Sequence, residues 1–319
     1  MQGMFGQQPQ LERQAGAMPV RRAVPPALLF GVGAPKCGTS WLHGYLYAHP
    51  DCHFRALKEL HYFDAFHAFR VDWVLDYLEA RLRRVEQLAV TARAELRSEF
   101  MREAGDIYEY YQLIKNRVDD RAGYSKYLLR GNQGAKVVGD ITPAYALLPT
   151  SVLREMASMT AHSRFVYLVR EPVERLWSHV RMSARQVKSA EADYDKHAQT
   201  IFADLLAGRV EAHHQMLEYS DYSGAIGRMS EAVPEDRLLV LCQEQMMTPR
   251  GIRKLCSFLG IRYVKPNFKQ TANLGKSAHL PSDLRSEARK MLKSQYEFAQ
   301  KYFGKLPENW QKSISKGFA

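Results

Sequence analysis

The sequence predicts an α/β fold with a mainly parallel sheet that gathers its ligands at the C-terminal ends of the strands. Three stretches carry that prediction. The apolar run Ala27–Val32 gives way to a glycine-bearing loop, after which Trp41, Leu42, Tyr45 and Leu46 recur at helical spacing. The run Ser163–Val169 reads as a buried strand and leads into Glu171-Pro172, where proline marks a first helical turn. A third unit joins the helix ending near Met229, the turn Pro234-Glu235-Asp236 and the strand Arg237–Leu241.

The remaining elements fill in around these. His49-Pro50-Asp51 closes the first helix, and Cys52-His53-Phe54 reads as a short strand. Residues 69–130 are helical and strongly charged, an insertion that forms either one wall of a cleft or a solvent-laced helical pair. Ala135–Gly139 is a further short strand, residues 194–218 are helical, Ile252–Leu259 is a helix, and Ser282–Tyr302 forms the last one. The adjacent pair His213-His214 faces two ways on a helix, which argues for surface residues rather than a shared metal. Residues 1–26 read as a disordered leader, and 27–319 as a single domain carrying the insertion.

Whole-chain properties narrow the function classes. A chain of 319 residues can bury a large core. The net charge of +11 points to anionic partners, but the basic residues are dispersed and carry no nucleic-acid-binding signature. The cysteines Cys37, Cys52, Cys242 and Cys256 form no CxxC pair, so neither a zinc site nor a disulfide framework is expected. No apolar run approaches the roughly 20 residues that span a bilayer. Residues 1–20 also lack the apolar centre of a signal peptide, so the expected location is cytoplasmic, without stable membrane insertion.

The chemistry concentrates in the first loop, Gly33-Ala34-Pro35-Lys36-Cys37-Gly38-Thr39-Ser40-Trp41. A strand, a glycine loop and a helix N-terminus make a phosphate cradle, because free backbone N–H groups and the helix dipole both favour an anion. Gly33 and Gly38 have Walker A spacing, yet Thr39 stands where that motif needs its lysine, and the lysine lies inside the loop at Lys36. This argues against an ATPase or GTPase. About 20 residues on comes Lys58-Glu59-Leu60-His61-Tyr62-Phe63-Asp64. In an extended segment the i, i+2 spacing puts Glu59 and His61 on one face, where either can take a proton from a hydroxyl. Later, Arg170-Glu171-Pro172-Val173-Glu174-Arg175-Leu176-Trp177-Ser178 sets a guanidinium at a strand end and a hydroxyl about two turns along a helix, a pair suited to hold a phosphate. Arg175 is read as equally suited to a structural pairing with a carboxylate such as Glu171.

Together these motifs resemble the sulfotransferases that use 3′-phosphoadenosine 5′-phosphosulfate (PAPS), in particular the heparan sulfate-type enzymes and their bacterial relatives. The loop is similar to that family's P-K-x-G-T-S/T phosphosulfate loop. Lys58–Asp64 is similar to its K-E-x-H-(F/Y)-F-D segment, and Arg170–Ser178 to its R-(D/E)-P-x-x-R-x-x-S motif. The resemblance spans roughly residues 27–303. It implies a P-loop-like three-layer fold with a central four- or five-stranded parallel sheet flanked by helices. It also implies Lys36, Glu59 and His61 as catalytic residues, with the glutamate as the family's base. Pro35, Lys36, Cys37, Gly38, Thr39, Ser40, Trp41, Arg170 and Ser178 would bind the donor, and Lys276 and Ser277 would close a loop over it. The segment Asp140-Ile141-Thr142-Pro143-Ala144-Tyr145 matches the family's G-(E/D)-K-(S/T)-P-x-Y except at Ile141, where many relatives carry an acceptor-binding lysine; that tilts the expectation toward a less acidic acceptor. Glu244 falls where the family's glutamate is structural. The expected reaction moves a sulfuryl group from PAPS to a hydroxyl of a saccharide, lipid or natural product, leaving 3′-phosphoadenosine 5′-phosphate (PAP), without a metal. The alternatives are a P-loop kinase or NTPase, which predicts magnesium and ATP, and a non-catalytic module that binds PAP or a glycan.

Overall fold

The computed structural model describes residues 25–185, 194–209, 214–269 and 278–318. Five parallel strands form the centre: β1 (Ala27–Gly33), β2 (Cys52–Phe54), β3 (Val137–Ile141), β4 (Ser163–Val169) and β5 (Leu238–Cys242), in the order β2-β3-β1-β4-β5. The helices follow in chain order. After β1 comes α1 (Thr39–Tyr47). Between β2 and β3 lie α2 (Tyr62–His67), α3 (Val71–Thr91), α4 (Ala94–Ile114) and α5 (Arg121–Leu129). A 3-10 turn (Pro143–Leu147) and α6 (Thr150–Ser158) lead to β4. Between β4 and β5 run α7 (Pro172–Ala184), α8 (Tyr194–Leu206), α9 (His214–Glu218) and α10 (Tyr222–Ala232). The chain then continues through α11 (Gln243–Met246), α12 (Pro249–Leu259), α13 (Ser282–Met291), α14 (Lys293–Phe303) and α15 (Glu308–Ser315).

The strands are near-continuous runs of Leu, Val, Ile and Phe because both sheet faces are covered by helices. Order reverses across β1: the chain goes from β1 outward to β2 on one side, then to β4 and β5 on the other. That reversal opens a crevice at the C-terminal ends of β1 and β4, the position at which open α/β sheets bind ligands. β3 begins two residues later than the sequence pattern suggests, so Asp140 and Ile141 belong to the strand. Ile141 is 1% exposed and packs on Gly31, so that side chain belongs to the core. The predicted last helix is two helices, α13 and α14, joined at Leu292. Among the described residues, no helix is long and apolar enough to cross a membrane.

Candidate active site

The loop after β1 is shaped by its own backbone. Gly38 takes a left-handed conformation, φ 90°, and caps α1; its carbonyl accepts the first intrahelical bond, from Leu42 at 3.0 Å. The amides of Thr39, Ser40 and Trp41 precede that bond and have no partner within the helix, so the dipole and its free donors face the loop. Thr39 is buried, Pro35, Gly38 and Ser40 are partly exposed, and Cys37 is fully buried. Burial pushes the Cys37 thiol up to about 12, against the pull of Arg175 and Arg170, so it fills the loop as an unreactive thiol. Trp41 stacks on Tyr45 at 5.6 Å and on Phe268 at 5.8 Å, and with Ser40 and Gly44 lines a cavity of about 290 Å³.

Arg170 leaves β4 beside this loop. Its Nη1 donates to the Lys36 carbonyl at 3.3 Å, and Nη2 lies 3.8 Å from Glu174, which also pairs with Arg285 of α13 at 2.7 Å. The Tyr222 hydroxyl donates to the Arg170 carbonyl at 2.6 Å and fixes the turn. Glu171 caps α7 by accepting from the Glu174 amide at 2.7 Å. Glu244 accepts from the Glu171 amide, Asn309 and Trp310, a purely structural set of contacts. Ser178 is partly exposed on the helix α7, in register with Arg181, Met182 and Arg185. This face reaches the loop, for Lys36 Nζ lies 3.5 Å from the Met182 sulfur. Burial and then the positive charges of Arg185, Arg170 and Arg181 lower the Lys36 ammonium to about 8, with Glu59 opposing them.

Sequence reasoning passed over Arg181 and Arg185. The signal was available: they stand three and seven residues after Ser178, on the same helical face.

Glu59 and His61 meet differently from the sequence expectation. The segment is not extended. Both residues take left-handed backbone, φ 63° and 55°, at the entry to α2. Lys36 does too, at φ 71°. Among the described residues five non-glycine residues have positive φ, and these three candidates are among them, which is where stored backbone strain collects at functional sites. The Glu59 side chain is 39% exposed and ion-pairs with Lys58. Burial works against its charge, but Lys58, then His61 and Arg81, hold it below the usual carboxylate range. The His61 Nδ1–H donates to the Asp64 carboxylate, 2.9 Å away, and the ring touches Trp73 edge-on. Burial opposes its charged form, but Asp64, Glu59 and Asp140 together raise its pKa.

The Asp140–Tyr145 motif braces this turn. Buried Asp140 accepts from Thr142 at 2.7 Å, Tyr145 at 2.7 Å and Tyr124 at 2.9 Å. In turn the Tyr145 hydroxyl accepts the Tyr62 amide at 2.9 Å, and Thr142 accepts the His61 amide at 3.4 Å. Burial raises the Asp140 carboxyl even against those three donors. Tyr145→Phe strips the Tyr62 amide of its acceptor in a dry interior. It is expected to lower stability by about 1–3 kcal/mol, read as a shift in the urea midpoint at unchanged slope. An unshifted midpoint contradicts the bracing role.

The other predicted residues divide simply. Lys276 and Ser277 lie outside the described residues, as does His213; His214 is exposed at the start of α9. All four cysteines are free thiols. Among the described residues no group of three or more His, Cys, Asp or Glu side chains is arranged to hold a metal ion.

A family model described as Sulfotransferase family matches residues 26–265, which include both the loop and the Arg170–Ser178 segment. The chain belongs to the sulfotransferase family. Its fold is similar to that of the sulfotransferase from Alicyclobacillus acidocaldarius, with 18% identity, TM-score 0.59, and coverage of 90% of this chain and 99% of that one. Two further structures align over similar lengths. The sulfotransferase domain of the Synechococcus PCC 7002 olefin synthase has 17% identity, TM-score 0.42 and coverage of 91% and 98%. The sulfotransferase domain from the curacin biosynthetic pathway has 17% identity, TM-score 0.39 and coverage of 92% and 97%. A search of curated proteins gave no match. The P-loop-like fold follows from the family and from the first of these structures, and sulfuryl transfer as the reaction type from the family.

Proposed function

We propose that this sulfotransferase takes its sulfuryl group from PAPS and places it on an acceptor hydroxyl. The observation that carries the reading is the contact of Arg170 with the Lys36 carbonyl beside the amides that open α1, with the charges of Arg181 and Arg185 acting on the same lysine. That cluster suits a donor with several anionic groups. Pro35, Lys36, Cys37, Gly38, Thr39 and Ser40 surround the 5′-phosphate in this reading. Arg170 and Ser178 hold the 3′-phosphate, and the aromatic face of Trp41 takes the adenine.

Transfer is an in-line displacement. The acceptor oxygen forms a bond to sulfur as the bond from sulfur to the donor's phosphate oxygen breaks. The acceptor proton passes to a base, and PAP leaves with the charge of the broken bond. Lys36 and the loop amides offset that charge as it develops. Glu59, the more exposed of the two candidates and already ionised beside Lys58, takes the proton. Its weak basicity suffices because the hydroxyl becomes acidic as the oxygen–sulfur bond forms. His61, whose pKa Asp64 and Glu59 raise against burial, is biased toward positive charge beside Glu59. Protein cations occupy the role that magnesium has in P-loop kinases.

The test is transfer of ³⁵S from labelled PAPS to a panel of saccharide, lipid and phenolic hydroxyl compounds, with a chelator present throughout. Labelled product with an acid-labile sulfate ester supports the reading. Labelling that requires magnesium, or phosphoryl transfer from ATP instead, overturns it.

A further inference from the structure

Arg175 is fully buried one turn into α7, yet the carboxylate expected to pair with it does not. Glu171 is engaged elsewhere, capping α7 and accepting from the Tyr296 hydroxyl. Among the described residues, the partners of Arg175 are uncharged or weakly basic: the Met216 carbonyl, Ser220 Oγ at 2.6 Å and His179 Nδ1 at 3.4 Å. Among the described residues its buried Nε has no acceptor and no carboxylate forms an ion pair with it. A buried guanidinium without a counter-charge is costly, and a hydrophobic residue of similar volume is the cheaper way to fill such a space.

Its position explains the retention. The charge acts on buried Cys37 in the middle of the phosphate loop, pulling that thiol down against the effect of burial. It also acts on Tyr222, whose hydroxyl fixes the Arg170 backbone. Arg175 stands on α7 between Arg170 and Ser178, three residues before Ser178 and seven before Met182, which touches Lys36, and it is fully buried, so its side chain is out of a ligand's reach while a charge in a low-dielectric interior still acts across that distance.

We propose that the missing counter-charge of Arg175 is the anionic donor itself: the buried guanidinium is a positioning residue that strengthens binding of the donor's 5′-phosphate through the loop without contacting it. The proposal rests on the donor reading above. Unlike Arg170, Arg175 forms no part of the ligand surface. Its substitution therefore separates charge from contact.

The experiment uses the full-length protein with Arg175→Met and Arg175→Lys, titrated calorimetrically with PAP and melted with and without it. Arg175→Met removes an unpaired buried charge, so the ligand-free Tm is expected to fall by no more than a few degrees. The Kd for PAP is expected to rise at least about tenfold, shrinking the PAP-induced Tm shift. Arg175→Lys keeps the charge and loses the fork geometry, and its Kd is expected to stay within about threefold of wild type. A structural role gives the reverse: a large drop in ligand-free Tm with unchanged PAP affinity in the folded protein, which would overturn the proposal. Should Arg175→Met fail to fold, Arg175→Lys decides, because a tenfold loss of affinity with the charge retained is equally fatal. Wild-type binding with an unaffected Met variant sinks this inference alone. Absence of wild-type binding to PAP sinks the donor reading along with it.

Discussion

Lys36→Met is expected to lower kcat by about 10²–10⁴-fold while leaving the fold intact. The side chain is partly exposed on a loop whose shape comes from Gly38 and the β1–β4 pairing rather than from the lysine. Its loss therefore removes charge at the leaving phosphate without opening the core. The effect is expected mainly in kcat, since the surrounding arginines continue to hold the donor's ground state. The pH dependence provides a second signature. Burial and three arginines bring the Lys36 ammonium to about 8. Its pKa is lowered, so the charged form is complete below that value and fades as pH rises through it. Wild-type kcat/KM is accordingly expected to decline above about pH 8, and that of the methionine variant to lack that limb. Initial rates from pH 5 to 10 with labelled PAPS read both. A variant within tenfold of wild type, or one that keeps the limb, contradicts the assignment.

Glu59→Gln is expected to reduce kcat by about 10²–10⁴-fold, and His61→Asn by less. Lys58, then His61 and Arg81, hold the Glu59 carboxyl below its usual range, so it titrates at lower pH than an ordinary carboxylate. With Glu59 as base, the acid limb of kcat/KM lies below the ordinary carboxylate value. With His61 as base, Asp64, Glu59 and Asp140 place that limb above the ordinary histidine value, and activity is lost as pH falls through it. Rates of the two variants and the wild-type acid limb separate these outcomes. A larger loss in His61→Asn, together with a limb above pH 6.5, transfers the role of base to His61.

The parts of this molecule that were legible in sequence are those where one local rule acts. The β1–loop–α1 unit could be read because apolar run, glycine and helical periodicity agree there. The site's two ends could be read because Lys36 and Arg170 each sit at a strand's C-terminal end, and the switch in strand order joins them. Where tertiary contacts decide, reading failed. The i, i+2 spacing of Glu59 and His61 suggests an extended segment, but the Asp140–Tyr145 hydroxyl network captures the His61 and Tyr62 amides where the chain turns left-handed. Glu171 stands four residues before Arg175, a spacing that suggests an ion pair. Helix capping takes the carboxylate first. Arg181 and Arg185 continue the face of Ser178, but only the loop approaching from β1 reveals that this face meets the site.

Calorimetric titration with PAP in chelator, comparing wild type with Arg170→Ala, tests the central claim most directly. The account predicts micromolar binding by wild type without magnesium, and loss of at least about tenfold in affinity when the bidentate guanidinium is removed. No binding of PAP, or binding of ATP only when magnesium is supplied, would contradict it.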